Sequence, residues 1–206
     1  MKILNLYAGI GGNRKCWGDD HEITAVEYKP EIAKIYQDFF PKDKVIIADA
    51  HQYLLEHFKE FDFIWSSPPC PTHSRFNLLS NEQEGKTVKY PDMALYQEII
   101  YLKHWFKGKY CVENVISYYE PLIKPQEVQH HYFWTNFYLP PYKNSKRGIR
   151  NCKNHIAERA EQLGVDLKSI NGNSEFKRKI LNNCTEPELG KYILDRAIKQ
   201  EYKTLF

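Results

Sequence analysis

The feature that most constrains the fold is a regular alternation of short β-like runs with helical segments in the first half of the chain. Helices are predicted over 30–40, which opens with proline at a helix-start position, and over 91–107, where apolar residues recur every three or four positions. The β-like runs, rich in β-branched and aromatic residues, are 2–7, 22–27, 44–48, 61–66 and 109–113. Because repeated strand–helix–strand units form mostly parallel sheets covered on both faces, the sequence predicts an α/β fold with a doubly wound sheet.

The pattern loosens after residue 115. An aromatic strand is predicted over 131–139, an irregular basic stretch follows, and a final helix starts near Pro187. A length of 206 residues suits one domain. We therefore expect a single domain over 1–206, in which 182–206 closes the fold as a helix packed back on the core.

Composition argues against a membrane-spanning or disulfide-built protein. No run approaches the roughly 18 uninterrupted apolar residues that a membrane helix needs, and the first residues lack the apolar stretch and cleavage site of a signal peptide. The five cysteines are an odd number at wide spacings, which is typical of free thiols in a reducing compartment. We expect a cytoplasmic protein with no membrane partner.

Positive charge is concentrated in one segment. The net charge is only +3, but 143–179 holds ten lysines and arginines against four acidic residues. Such a cluster is typical of a surface that contacts phosphates. For any one of these residues, a position on a merely solvated face is an equally good interpretation.

Polar or glycine residues follow nearly every predicted strand of the parallel sheet. They are the glycine turn 8–12, Glu27, Asp49, the loop 66–75, and the pair Glu113 and Asn114. Ligands of open parallel sheets bind at the carboxyl ends of the strands, so we expect these groups to line one crevice.

The glycine turn and Glu27 together indicate an adenosine-bearing cofactor. Glycines let the backbone approach a ligand closely, and an acid that ends the second strand accepts ribose hydroxyls. The spacing GxGGN departs from the GxGxxG of dinucleotide-binding proteins, which disfavours NAD. Asp49 is either an acceptor for the adenine amino group or the N-cap of the helix that starts near His51.

Cys70 lies in a stiff loop, SSPPCPTHSR, with prolines on both sides. Such a loop aims a side chain and continues neither helix nor strand, so we interpret Cys70 as a nucleophile at the edge of the crevice. The other cysteines are interpreted as structural. They are Cys16, Cys111, Cys152 and Cys184.

Glu113 follows a strand whose neighbouring residues are expected to be buried. A buried carboxylate is costly unless it is paired, protonated or used in chemistry, so Glu113 is either a catalytic acid or a structural acceptor. A zinc site built from Cys152, His155 and Cys184 is disfavoured because the spacing is poor and no fourth ligand is evident, so no metal is predicted.

These residues together resemble the cytosine-5 DNA methyltransferases, and small phage-encoded members related to the de novo eukaryotic branch in particular. The similar motifs occur in family order over nearly the whole chain. They are LYAGIGG at 6–12, Glu27, Asp49, SPPC with Ser74 and Arg75, VENV at 112–115, VQHHYFWTN at 128–136 and NNCTEPELGKYI at 182–193.

The resemblance implies a Rossmann-like fold and S-adenosylmethionine as cofactor. It implies that Cys70 adds to carbon 6 of a cytosine flipped out of a DNA duplex, while Glu113 gives a proton to ring nitrogen 3. Asn114, Arg75 and His131 complete the catalytic group that we expect. The expected cofactor-binding residues are Tyr7, Ala8, Gly9, Ile10, Gly11, Gly12, Glu27, Tyr28, Asp49, Ala50, Ser67, Pro68 and Asn183. The expected nucleic-acid-binding residues are Ser74, Lys143, Lys146, Arg147, Arg150, Lys177, Arg178 and Lys179.

The sequence departs from the family in two places. Members commonly carry arginines before the YFW-like strand, one of which binds oxygen 2 of the cytosine, whereas this chain has Gln129, His130 and His131. Either a histidine takes over that donor role, Arg75 from the nucleophile loop compensates, or activity is impaired. We favour a histidine, His131, as the donor. The expected target-recognition segment, 140–181, is also short, which predicts modest sequence discrimination by a monomer or homodimer.

Two further functions stay open at this point. One is methylation of cytosine in RNA, as one branch of the family does with tRNA. The other is a catalytically inactive relative that only binds nucleic acid, which the missing arginines favour and the joint presence of Cys70 and Glu113 opposes.

Overall fold

The computed structural model describes residues 1–75, 89–142 and 155–199. Their central element is a seven-stranded sheet in the order β3-β2-β1-β4-β5-β7-β6. The strands are β1 Lys2–Leu6, β2 Glu22–Glu27, β3 Lys44–Ile47, β4 Phe63–Ser66, β5 Lys109–Val115, β6 Gln126–Val128 and β7 His131–Thr135. Strands β1 to β5 pair in parallel, whereas β7 pairs antiparallel with both β5 and β6.

Helices cover both faces of this sheet. The helices in the described ranges are α1 Pro30–Phe39, α2 Ala50–His57, α3 Ala94–Trp105, α4 His155–Leu163, α5 Ser174–Asn182 and α6 Pro187–Lys199. On one face, Leu4 and Leu6 pack with residues of α2 and α3. On the other face, Ile3 packs with residues of α6, and Ala25 packs with residues of α1. The predicted doubly wound, mostly parallel α/β sheet is confirmed, and the arrangement is Rossmann-like.

Strand boundaries differ from the sequence prediction where they matter for the site. The fifth strand was expected to end at Glu113, but it continues to Val115, so Glu113 and Asn114 lie within β5 rather than beyond it. Pairing with β7 extends the strand, since Glu113 lies opposite Phe133 and Val115 opposite His131. The aromatic strand was expected to reach residue 139 but ends at Thr135.

The closing helix α6 buries an apolar face. Leu189, Ile193, Leu194 and Ala197 are nearly inaccessible and share a cluster with Trp65 of β4. Gly190 allows α6 to approach the first turn after the glycine segment, since a Cβ there would lie 2.7 Å from the Asn13 Cα. Helix α6, the last described element, thus packs on β1 and β4, two of the strands whose carboxyl ends border the predicted crevice.

Helices α4 and α5 form a small pair beside the sheet. Leu163 of α4 and Leu181 of α5 are buried together with Ile10 of the glycine turn and Ile35 of α1. Asn173 caps α5 by accepting a hydrogen bond from the Phe176 backbone NH at 2.8 Å. No helix in the ranges 1–75, 89–142 and 155–199 combines the length and apolar character needed to span a membrane.

Candidate active site

The glycine turn after β1 forms a tight backbone cradle against β2. Tyr7 and Gly9 have φ of 54° and 55°, the left-handed region that L side chains seldom adopt. The Gly9 NH donates to Glu27 Oε2 at 3.0 Å, and the Lys29 NH donates to Glu27 Oε1 at the same distance. A Cβ at Gly9 would meet no heavy atom within 4 Å, so the turn borders open space beside a fixed carboxylate.

Of the other residues of the turn, Ala8, Ile10 and Gly11 are buried, and Gly12 is partly exposed. Ala8 and Ile10 are 6% and 2% exposed, and a Cβ on Gly11 would collide with the Phe40 ring. Gly12 contacts the segment that precedes α6, because a Cβ there would lie 2.6 Å from the Thr185 carbonyl oxygen. These four residues were expected to bind the cofactor, and their packing sets the shape of the turn.

A cavity of about 550 Å³ opens at the carboxyl edge of the sheet. Its lining residues are Tyr7, Asp49, His51, Gln52, Pro69, Asp92 and Ala94. Asp49 accepts a hydrogen bond from the Gln52 NH at 3.0 Å, so it is the N-cap of α2, and it also lines the cavity. Both sequence interpretations of Asp49 are therefore compatible with its position.

The remaining cofactor candidates lie at different depths around this edge. Tyr28 is 71% exposed, and Ala50 is buried beneath the start of α2. Ser67 Oγ accepts a hydrogen bond from Trp65 Nε1 at 2.8 Å. Asn183 is exposed and serves as the C-cap of α5.

Glu98, which no sequence motif indicated, contacts two residues that line this cavity. Glu98 is only 1% exposed and belongs to α3. Its Oε1 accepts from Tyr7 Oη at 2.6 Å and contacts His51 Nδ1 at 3.0 Å, and its Oε2 accepts from Ser66 Oγ at 2.5 Å. The signal was available, since Glu98 is one acidic residue between Leu95 and Leu102 on the apolar face of a predicted amphipathic helix.

The loop that carries Cys70 is fixed at both its ends. On one side, Asn114 Nδ2 donates to the Pro68 carbonyl at 3.0 Å. On the other, the Cys70 carbonyl accepts from the backbone NH groups of His73 and Ser74 at 3.0 and 3.1 Å. Asn114 therefore positions the loop from the neighbouring strand and is itself buried.

The same loop is joined to the segment after β5. Ser74 forms an antiparallel bridge with Ser117, and Arg75 Nε donates to the Ser117 carbonyl at 2.8 Å. His73, which is 1% exposed, places Nδ1 2.6 Å from the Tyr119 hydroxyl. These contacts hold the loop in one position relative to β5.

Cys70, Glu113 and His131 are brought together at the centre of the edge. Cys70 is partly exposed, and burial raises the pKa of its thiol, with a further increase from the negative charge of Glu113. Glu113 is 8% exposed, and its Oε1 lies 3.5 Å from His131 Nε2. Cys70 is thus only partly buried, and its loop follows β4, the strand that pairs with the Glu113 strand β5.

His131 retains hydrogen-bonding capacity at its second nitrogen. Its Nδ1 is buried and has no hydrogen-bond partner among the described residues. Arg75, the other candidate donor, is exposed and already bonds the Ser117 backbone through Nε. His131 is therefore the group whose ring nitrogen faces the Glu113 carboxyl group.

The nucleic-acid-binding candidates fall into three groups. Ser74 lies beside the nucleophile loop. On α5, Arg178 and Lys179 are exposed, whereas Lys177 Nζ donates to the Leu167 carbonyl at 2.8 Å. The remaining candidates, Lys143, Lys146, Arg147 and Arg150, lie outside the described residues.

The cysteines other than Cys70 occupy different surroundings. Cys111 and Cys184 are buried, Cys16 is partly exposed, and all the described cysteines are free thiols. Cys184 Sγ donates to the Ile180 carbonyl at 3.2 Å. In the described parts of the chain, no three histidine, cysteine or acidic side chains are grouped to hold a metal ion, and Cys152 lies outside those parts.

Comparison with known proteins gives one family. Residues 1–115, more than half of the chain, match the model of the family described as C-5 cytosine-specific DNA methylase.

Two curated relatives are similar to part of the chain. The tRNA (cytosine(38)-C(5))-methyltransferase of Mus musculus is 25% identical over 96 residues, which cover 44% of this chain and 23% of that protein. The enzyme of the same name from Spodoptera frugiperda is 32% identical over 92 residues, which cover 42% of this chain and 28% of that protein. The matched region spans about a quarter of the length of each relative.

Solved structures are similar at lower identity. A Spodoptera frugiperda DNMT2 mutant has a TM-score of 0.46 at 22% identity, covering 70% of this chain and 53% of that one. A SAM-dependent methyltransferase from Agrobacterium tumefaciens has a TM-score of 0.41 at 13% identity, covering 58% and 40%.

Proposed function

This chain belongs to the C-5 cytosine-specific DNA methylase family, and from that premise we propose that it transfers a methyl group to carbon 5 of a cytosine in DNA. The observation that carries the proposal is the placement of the partly exposed Cys70 on the loop after β4 and of the buried Glu113 on the neighbouring strand β5, at the edge where the glycine turn also lies. A protein that only binds nucleic acid has no need of both groups in one place.

The cofactor of this family is S-adenosylmethionine, and the residues at the edge fit it. Gly9 leaves open space beside the Glu27 carboxylate, each of whose oxygens accepts one backbone NH. Each oxygen keeps a lone pair for a ribose hydroxyl, and Asp49 lines the neighbouring cavity where an adenine would be placed. When bound, S-adenosylmethionine supplies an electrophilic methyl group on its sulfonium.

Cys70 and Glu113 divide the activation of the base between them. Carbon 5 of cytosine is a weak nucleophile. The Cys70 thiol first loses its proton to solvent, and addition of the resulting thiolate to carbon 6 converts the ring into an enamine. As the electron pair of the 5,6 double bond moves towards nitrogen 3, the Glu113 carboxyl group gives that nitrogen a proton. After the methyl group is taken up, loss of the carbon 5 proton to solvent re-forms the double bond, expels the thiolate and returns the proton to Glu113.

The electrostatics of the pair link these two steps. The charge of Glu113 raises the Cys70 pKa, so the thiolate forms more easily when Glu113 holds a proton. The proton that nitrogen 3 needs is therefore the same proton that favours the nucleophile. We propose that His131, whose Nε2 lies 3.5 Å from Glu113 Oε1, donates to oxygen 2 of the base.

The proposed reaction also involves extrusion of the base, because the reacting atoms of a stacked cytosine are inaccessible. Cys70 lies on a loop that hydrogen bonds of Asn114 and Arg75 hold against β5 and the segment after it. We propose that the target cytosine is flipped, at a cost of a few kcal/mol. Segment 140–181 is proposed to contact the phosphate backbone of the nucleic acid. In its described part, the exposed candidates for this contact are Arg178 and Lys179.

RNA is the second candidate substrate. The observation in its favour is that both curated relatives are named as tRNA (cytosine(38)-C(5))-methyltransferases. The chemistry at Cys70 and Glu113 is the same for either nucleic acid, so the site itself does not distinguish them.

One experiment separates the candidates. Purified protein is incubated with methyl-labelled S-adenosylmethionine and either duplex DNA or total tRNA, and the products are digested to nucleosides. Label in 5-methyldeoxycytidine that disappears in Cys70→Ser supports the DNA proposal, whereas label only in 5-methylcytidine assigns RNA. Cofactor binding with no transfer to either would overturn the enzymatic proposal and favour the inactive relative.

A further inference from the structure

We infer that Glu98 is a positioning residue of the cofactor cavity, holding Tyr7 and His51 in its wall and thereby setting the affinity for S-adenosylmethionine. Tyr7 and His51 line that cavity, and both contact the same oxygen of Glu98, at 2.6 and 3.0 Å. The inference depends on the proposed use of this cavity for the cofactor. Neither Glu98 nor His51 was identified as part of the site by the sequence.

Glu98 is a buried carboxylate whose two oxygens are both satisfied by polar side chains. A carboxylate that is only 1% exposed destabilises the fold unless hydrogen bonds replace its water shell. Glu98 receives those contacts from three elements: Tyr7 follows β1, Ser66 ends β4 and His51 lies on α2. One helix residue thus ties together three chain segments that meet at the cofactor edge.

Tyr7 is the residue most dependent on this anchor. Its φ of 54° lies in the left-handed region, which is unfavourable for residues other than glycine. Burial and the Glu98 charge raise the Tyr7 pKa far above its ordinary value, so the hydroxyl stays protonated and always donates. The Glu98 contact therefore fixes both the ring of Tyr7 and the start of the glycine turn.

The orientation of the His51 ring also depends on Glu98, which contacts its Nδ1. The hydrogen bond to Glu98 raises the His51 pKa against the effect of burial, and the charges of Asp49 and Asp92 act in the same direction. With Nδ1 committed to Glu98, the remaining ring nitrogen is the one available to a ligand in the cavity. Removing the Glu98 charge should release the ring and lower its pKa.

The test compares the cofactor affinity of Glu98→Gln with that of a variant in which a buried carboxylate elsewhere in the fold is replaced. Titration calorimetry measures the dissociation constants of S-adenosylmethionine and S-adenosylhomocysteine, and steady-state kinetics measures the KM for nucleic acid. We expect Glu98→Gln to weaken both cofactor constants about tenfold, the loss typical of a hydrogen bond to a charged group, with little change in the nucleic-acid KM. Nuclear magnetic resonance titration should show a lower His51 pKa in the variant.

Asp43→Asn is the matched control. Asp43 is 6% exposed and accepts from Arg14 Nε, Arg14 Nη2 and Tyr36 Oη at 2.8 to 3.0 Å, and neither partner lines the cavity. It should lower the melting temperature without a comparable loss of cofactor affinity. If Glu98→Gln does not fold, Tyr7→Phe removes a single donor and should weaken the cofactor about threefold.

The outcomes are distinct. If Glu98→Gln and Tyr7→Phe bind the cofactor with the same dissociation constants as the wild type, the inference is overturned and the proposed function stays intact. Equal losses in Glu98→Gln and Asp43→Asn would also overturn it, because the effect would then be general destabilisation. Failure of the wild-type protein to bind either cofactor form would overturn the cofactor assignment itself, and the inference with it.

Discussion

Replacement of Gly9 by alanine should separate the cofactor role of the glycine turn from its role in folding. Gly9 has φ +55°, and an added Cβ would meet no heavy atom within 4 Å. Gly18 offers a matched control because it has φ +80° and the same open surroundings, in a turn before β2. The two substitutions therefore impose similar backbone strain and no steric clash within the protein.

The expected magnitudes follow from these geometries. A left-handed conformation costs an L residue roughly 1–2 kcal/mol, so Gly9→Ala and Gly18→Ala should each lose about that much stability. For a chain of this length, each kcal/mol lowers the melting temperature by about 2–4 °C. The methyl group at Gly9 also fills space beside Glu27, and overpacking of about 1–3 kcal/mol corresponds to a roughly 5- to 150-fold weaker cofactor.

Calorimetry provides both readouts on the same samples. Scanning calorimetry gives the melting temperatures, and titration with S-adenosylhomocysteine gives the dissociation constants. We expect similar melting temperatures for the two variants and a loss of affinity in Gly9→Ala alone. Unchanged affinity in Gly9→Ala, or the same loss in Gly18→Ala, would refute the assignment of the turn to the cofactor.

Three further predictions concern the nucleophile loop and the closing segment. Glu113→Gln should abolish methyl transfer yet lower the pKa of Cys70, because the substitution removes the negative charge that raises this pKa. The pH dependence of Cys70 alkylation by iodoacetamide measures the shift, and a higher Cys70 pKa in the variant would contradict the prediction. Burial lowers the pKa of His73, so the folded protein binds fewer protons there than the unfolded chain and loses stability as the pH falls below about 6.5. His73→Phe should therefore show a smaller fall in melting temperature between pH 7 and pH 5 than the wild type, and an equal fall would contradict this assignment. Gly12→Ala should lower the free energy of unfolding in urea by about 1–3 kcal/mol, since its Cβ would lie 2.6 Å from the Thr185 carbonyl oxygen; an unchanged value would contradict that close packing.

The parallel half of the sheet could be predicted from the sequence because each strand carries its own local signal. The runs at β1, β2 and β4 are apolar and short, and the glycine turn and Glu27 directly follow or end them. Since parallel strands present their carboxyl ends to one edge, the meeting of these groups follows from topology alone. The proximity of Cys70 to Glu113 is a consequence of β4 and β5 being neighbours.

Other features depend on contacts that no local pattern encodes. Strand β5 extends past Glu113 because β7 pairs with it, and that pairing joins residues about 20 positions apart. The Glu98 cluster joins four separate segments, and only the unexpected acid on an apolar helix face signals it. For Asp49 the sequence left two roles open, N-cap of α2 and acceptor for the adenine, and its position is compatible with both.

The central claim, that Cys70 forms the bond to carbon 6 of the base, is most directly tested by trapping the adduct. A duplex oligonucleotide carrying 5-fluorocytosine retains fluorine where the proton must leave, so the thioether formed by the nucleophile cannot be released. With S-adenosylmethionine present, the account predicts a stable protein–nucleic acid adduct whose proteolytic fragments carry the modification at Cys70, and none in Cys70→Ser. An adduct at another cysteine, or none with either a DNA or an RNA oligonucleotide, would contradict it.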